Sequence, residues 1–156
     1  MSATARGIAA DEGDTLIEIL VAVVIMGVAV TAIITGLLTS VTISDLHRKQ
    51  ATAGVYVRDY GEAIENAVDN TGNLSCATTA ASYGGAAVPG FDPTNYQKSV
   101  VAGSLRYWDG SAWQTSCGSD TGVQQLKVQV NSSDNRATET LILVVRKPCG
   151  PGSSCT

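Results

Sequence analysis

Apolar and polar positions follow three successive patterns along the chain. From Leu16 to Leu38 it reads LIEILVAVVIMGVAVTAIITGLL, apolar on every face and interrupted by one charge, Glu18. As a helix these 23 residues would span about 34 Å, enough for a bilayer core. After Ser44 the pattern turns amphipathic: Leu46, Ala53, Val57, Tyr60, Ile64 and Ala67 recur at helical spacings. Asp45, Arg48, Lys49, Arg58, Asp59, Glu62 and Glu65 fill the other faces. Proline first occurs at Pro89, and Asn70-Thr71-Gly72-Asn73 reads as a stop. The two patterns together predict one helix over 14–70, about 55 residues and about 80 Å long. Thr35-Gly36 is the place where it could break.

Beyond residue 70 the pattern is that of short strands. Residues 71–95 are rich in small and polar residues, with Pro89 and Pro93, and read as an irregular connection. A strand follows over Ser99–Trp108, a two-residue hairpin turn at Asp109-Gly110 and a return strand over Ser111–Cys117. From Gly122 to Val130 the alternation puts Leu126, Val128 and Val130 on one face and Gln125, Lys127 and Gln129 on the other. Asn131–Asn135 is a turn cluster. Thr138–Arg146 is a strand whose Leu141–Val145 run is apolar on both faces, which predicts a central position or one pressed on the helix. The fold class is α+β: a long N-terminal helix whose later part packs on an antiparallel sheet of about four strands. The later helical stripe needs such a partner. The first block cannot be a buried core helix, because the rest of the chain is too polar to wrap it.

Composition sharpens this picture in two places. The net charge of −4 gives no support for nucleic acid as a partner. Cys76, Cys117, Cys149 and Cys155 all lie in the second half, an even count suited to disulfides in an oxidising compartment. Zinc is disfavoured: no CxxC pair occurs, and His47 is far upstream. Four cysteines allow three connectivities. We expect Cys76 with Cys117, tying the connection to the sheet, and Cys149 with Cys155 around Gly150-Pro151-Gly152. Each bridge would contribute about 2–4 kcal/mol to a head too small to rely on its core alone. A secretory signal peptide fits the apolar block poorly. The preceding residues have Arg6 against Asp11 and Glu12, and the block is longer than a signal core.

The block is entered through Asp11-Glu12-Gly13-Asp14-Thr15-Leu16-Ile17-Glu18. This run, followed by an unbroken apolar helix, resembles the cleavage and methylation signal of type IV pilins and type II secretion pseudopilins. The likeness covers Gly13 to Leu38. It departs from the common family pattern in starting the mature chain at Asp14 rather than Phe, in its poorly basic leader and in lacking a proline within the span. A non-Phe start is commoner in minor pilins and some pseudopilins. The resemblance implies a leader over 1–13, a prepilin peptidase that cuts after Gly13 and N-methylates Asp14, a membrane span over 16–38 and a pilin-like head over 71–156. It also implies that Glu18 pairs with the N-terminus of a neighbouring subunit and sets assembly register. The partners implied are other pilin-like subunits, the peptidase/methyltransferase, an assembly platform and the cytoplasmic membrane, with the head outside. Physical chemistry agrees with these parts. Glycine leaves the cleavage site unhindered, and a new ammonium at Asp14 would sit at the positive end of the helix dipole, one turn from Glu18. A carboxylate at mid-membrane costs on the order of 3 kcal/mol, less near the interface, so it needs a partner. Charge bias argues the other way on orientation, since Arg48 and Lys49 follow the span. The cysteines favour the outside.

No catalytic set stands out, so an enzyme is not expected, and neither a cofactor nor a metal is implied. Serines lack a GxSxG or SxxK context. Asp92, Asp120 and Asp134 form no EF-hand loop. Tyr107, Trp108 and Trp113 cluster at the first hairpin, either as cross-strand packing or as a partner patch. Lys98, Arg106, Lys127, Arg136, Arg146 and Lys147 lie in the sheet region, where scattered surface charge is the plainer reading than phosphate contacts. The sequence thus points to a structural subunit, a minor pilin or pseudopilin. The alternatives are a single-pass anchored binding protein that does not polymerise and, behind it, a DNA-binding minor pilin.

Overall fold

The structure, a computed structural model, describes residues 12–71, 83–118 and 121–147. Helix α1 runs over Glu12–Thr71. The chain divides into two compact units, Met1–Ser44 and Asp45–Thr156, so α1 contributes to both.

In the first unit every side chain from Thr15 to Ser44 is exposed. The helix continues through Thr35 and Gly36 without a break. Its threonines are accommodated by bonding back to the preceding turn. Thr35 Oγ1 donates to the Thr31 carbonyl at 2.9 Å, Thr39 Oγ1 to Thr35 at 2.9 Å and Thr42 Oγ1 to Leu38 at 3.0 Å. Thr31 reaches the carbonyls of Gly27 and Val28. The hydroxyl protons are therefore satisfied within the helix itself.

In the second unit the later part of α1 packs on one antiparallel sheet of β1 (Tyr96–Val100), β2 (Arg106–Trp108), β3 (Trp113–Gln114), β4 (Val123–Ser132) and β5 (Thr138–Arg146). The α+β class and the helix-on-sheet plan are those the sequence predicts. Strand β4 is the spine. Strand β5 pairs with it from Val123↔Arg146 to Asn131↔Thr138. Along its other edge lie β1, from Tyr96↔Ser132 to Val100↔Val128, and then β2, with Arg106↔Gln125 and Tyr107↔Gln124.

Three expectations need correction. The strand expected over Ser99–Trp108 starts three residues earlier and is interrupted at 101–105. Gly103 there has a φ of 67°, and Ser104 Oγ donates to the Val101 carbonyl at 2.6 Å, closing a small excursion between β1 and β2. The β2–β3 connection is a four-residue loop, not a two-residue turn, because Trp108 pairs with Trp113. Its organiser is the Asp109 carboxylate, which accepts the Ser111 and Ala112 N–H groups at 2.7 Å each. The return strand is accordingly just Trp113–Gln114. The expectation for β5 holds in its second form: it is an edge strand pressed on the helix, with Leu141 and Leu143 against Gly61. Leu143 and Val145 face the core, while Ile142 and Val144 lie on the opposite face, 63% and 43% exposed.

The core joins Ala53, Val57, Tyr60, Ile64 and Val68 of α1 to Leu126, Val128, Val130, Leu143 and Val145 of the sheet. The stripe ends on Val68 rather than Ala67, which is exposed. Buried polar groups are satisfied. The Tyr83 hydroxyl donates to Gln124 Oε1 at 2.7 Å, and the Tyr60 hydroxyl donates to the Tyr83 carbonyl at 3.4 Å. Gly61 is packed on β5: a Cβ there would stand 3.1 Å from Leu141 Cδ2.

Candidate functional site

The N-terminal run falls where α1 begins. Gly13 and Asp14 lie in its first turn, and Glu18 follows one turn beyond Asp14. Glu18 is exposed. The four ion pairs found among the described residues all lie beyond residue 44, so none involves Glu18. Around and beyond it the surface is apolar: Leu16, Ile19, Val23, Met26 and Leu37 are each more than half exposed. One helix is thus long and apolar enough to cross a membrane. With their hydroxyls bonded internally, the threonines of this segment meet the demand that hydrocarbon places on polar groups, and Glu18 is the group that does not.

The aromatic cluster divides between two faces. Tyr107 is buried in the core. Trp108 and Trp113 stand opposite each other in the ladder, edge to face with centroids 5.2 Å apart, and Trp113 is 37% exposed. Beside them a hollow of about 330 Å³ is lined by Tyr107, Asp109, Gln114, Ser116 and Gly118. The Asp109 carboxyl is held well below the usual carboxylate range by the Ala112 and Ser111 N–H groups, then by Gln114 and the Ser111 hydroxyl. It is a loop organiser, occupied by its own neighbours.

A second polar centre ties the start of the unit's helix to the β4–β5 turn. Lys49 Nζ meets Asp134 Oδ2 at 2.6 Å and Asp45 Oδ2 at 3.1 Å, and Arg48 and Arg136 also approach Asp45. Asp134 accepts from the Ser132 hydroxyl at 2.6 Å. Lys49, then Ser132, hold the Asp134 carboxyl well below the usual range. Asp134 and then Asp45 push the Lys49 ammonium up. Asn135, with a φ of 55°, makes the tight turn. A hollow of about 320 Å³ beside this centre is lined by Arg48, Asp92, Asn95 and Tyr96 among others. Its carboxylates are committed too: Asp92 accepts from the Asn95 side chain at 2.7 Å and from the Thr94 N–H at 3.0 Å.

Of the basic residues in the sheet region, Lys98 is no surface charge. Its ammonium donates to the Ala86 and Gly84 carbonyls at 2.8 and 3.1 Å and lies 4.6 Å from the Tyr60 ring centroid. Burial lowers its pKa. Sequence reading missed this clamp, and a lysine on the core-facing parity of β1, opposite Val130, was the signal for it. Cys117 is disulfide-bonded. Its partner, and with it the expected Cys76–Cys117 and Cys149–Cys155 pairing, lies outside the described residues. So does Asp120. Among the described residues no three His, Cys, Asp or Glu side chains converge as metal ligands. Compared with models of protein families, with curated proteins and with solved structures, the chain matches none.

Proposed function

We propose that this chain is a structural subunit of a pilus-like or secretion-type filament, a minor pilin or pseudopilin, processed after Gly13 and assembled through the N-terminal part of α1. What carries the reading is the exposed apolar helix with Glu18 as its one charge, placed a turn after the Gly13-Asp14 junction. An acid amid apolar surface, unpaired among the described residues, is poised for a partner on another molecule. Cleavage after Gly13 would create that partner: the ammonium of Asp14 on a neighbouring subunit, at the positive end of its helix. The peptidase and methyltransferase would act on Gly13 and Asp14, and the chain would pass from the cytoplasmic membrane into the filament with its head outside.

Intact-mass measurement of the membrane-extracted protein tests this. The expected result is loss of residues 1–13 and a methyl group on Asp14, and a chain still carrying those residues overturns the proposal. Glu18→Ala should cut incorporation into filaments severalfold while the head unfolds at its normal temperature. Unchanged incorporation would remove the register role.

A further inference from the structure

The head has two outward surfaces of opposite sign. On the sheet, the positions that alternate with the core-facing ones carry three bases, Arg106, Lys127 and Arg146, and no acid. In a chain of net charge −4 this is a local reversal. The bases surround exposed apolar residues: Lys127 stands opposite Ile142, and Arg106 and Val144 flank Gln125 from either side. None of the three joins the ion pairs found among the described residues. Arg106 gives one nitrogen to the Gly103 and Leu105 carbonyls, which leaves its other donors outward. Across the core, the last turns of α1 from Arg58 onward carry Glu62, Glu65 and Asp69 on the exposed side, three and four residues apart and so on one face, against a single base, Arg58. Because the buried side of α1 packs on the core-facing side of the sheet, these two surfaces look in opposite directions.

We infer that the basic outer face of the sheet docks on the acidic outer face of α1 in a second copy of this chain. The observation that selects a second copy is charge complementarity between two faces of the same head. The apolar residues Ile142 and Val144 would lose water at the contact while the bases meet carboxylates at its rim. Such a contact is heterologous: each copy offers a different face, so it propagates instead of closing into a pair. The bases set orientation and association rate more than total affinity. The inference rests on reading the chain as an assembling subunit, and it supplies the head-to-head contact for that reading.

The test uses the full chain in detergent micelles, as a mixture of isotopically light and heavy copies treated with a zero-length carbodiimide. Lys127 should couple between copies to Glu62, Glu65 or Asp69. The yield should fall on the order of tenfold at about 1 M salt, where charges are screened beyond about 3 Å. Two triple variants, Arg106→Glu/Lys127→Glu/Arg146→Glu and Glu62→Lys/Glu65→Lys/Asp69→Lys, should each fail to associate through the heads. Mixed together they should associate again, since each presents the charge the other now needs, and a misfolded variant could not be rescued in this way. No coupling at low salt, or no rescue on mixing, overturns the inference. So does loss of association in the sheet variant alone, which would assign the basic face to some other acidic partner. Processing is read separately by intact mass. Chains that cross-link yet keep residues 1–13 would sink the proposed function and not this contact, while processed chains that never cross-link would sink the contact alone.

Discussion

Ile25 and Ile64 sit on the same helix and meet opposite fates. Ile64 is fully buried between α1 and the sheet, whereas Ile25 is 63% exposed in a segment where every neighbour is exposed too. The later stretch of α1 is amphipathic, and its own chain supplies the sheet that covers the apolar stripe. The earlier stretch is apolar all round, and the described residues cover none of it. Among the described residues, Ala53–Val68 has its stabilising partner in the sheet, and Leu16–Leu38 has none. Burying such a side chain is worth about 1.5–3 kcal/mol. The uncovered segment thus holds a large driving force for burial, of a kind that lipid or other helices would satisfy.

Truncating the two isoleucines separates the regions most sharply. Ile64→Ala should destabilise the head by about 2–5 kcal/mol, since it leaves a cavity under Tyr60 and the sheet. Ile25→Ala should leave head unfolding unchanged. Denaturant titration of the full chain in detergent, followed by tryptophan fluorescence from Trp108 and Trp113, measures both. Equal losses would mean that the first segment is also part of the head's core, and the comparison would fail.

A smaller effect is expected where the helix packs on β5. Gly61→Val would place its branched side chain against Leu141, which already stands 3.1 Å from an ideal Cβ. Overpacking of this kind costs about 1–3 kcal/mol. The matching change in the first segment, Gly36→Val, meets no atom within 4 Å and should leave head stability unaltered. If Gly61→Val were neutral, the helix would not be pinned on β5 as tightly as the packing implies.

Much of this architecture was legible in the sequence because it rests on periodicity. The all-round apolar run, the change to a one-sided stripe after Ser44 and the period-two alternation of Leu126, Val128 and Val130 each follow from a repeat that burial imposes. What escaped was set by single side chains acting on nearby backbone. Asp109 reshapes the hairpin loop by capturing two N–H groups, which the Asp-Gly dipeptide does not announce. Ser132 accepts the Ala137 N–H at 2.9 Å and lets β4 run into what reads as a turn cluster. Strand β5 takes one of the two positions its pattern predicts, pressed on the helix. Its run is apolar on both faces; among the described residues only the inner face is covered, and the outer face is the one we assign to a neighbouring copy. Of the candidate site, the Gly13-to-Glu18 run was singled out by its resemblance to a known processing signal, with Glu18 standing out as the one charge in an apolar block. The opposed charges of the head were not, because they come from strands and a helix far apart in sequence.

The least of the expected effects concerns the ionic tie between Lys49, Asp45 and Asp134, and its sign can be worked out. Asp134 is held below the ordinary carboxylate value of about 3.9, so as acid is added the unfolded chain takes up its proton first. The contribution of this group is complete above about pH 5 and is lost as pH falls below about 4. Asp109, Asp92 and Asp45 are shifted the same way and add to the slope. Lys49 is raised above its ordinary value of about 10.4, so its contribution is present at neutral pH and is lost at the alkaline end. The tie therefore works between the two limits, modestly, because water reaches its members. Asp134→Asn should flatten the acid limb of a melting-temperature profile and also weaken the alkaline limb, leaving there the smaller part that Asp45 supplies to Lys49 across 3.1 Å. Lys49→Met should flatten both. If Asp134→Asn left the acid limb as steep as before, the pH response would belong to Asp109 and its loop, and the helix-to-turn tie would contribute nothing measurable to holding α1 on the sheet.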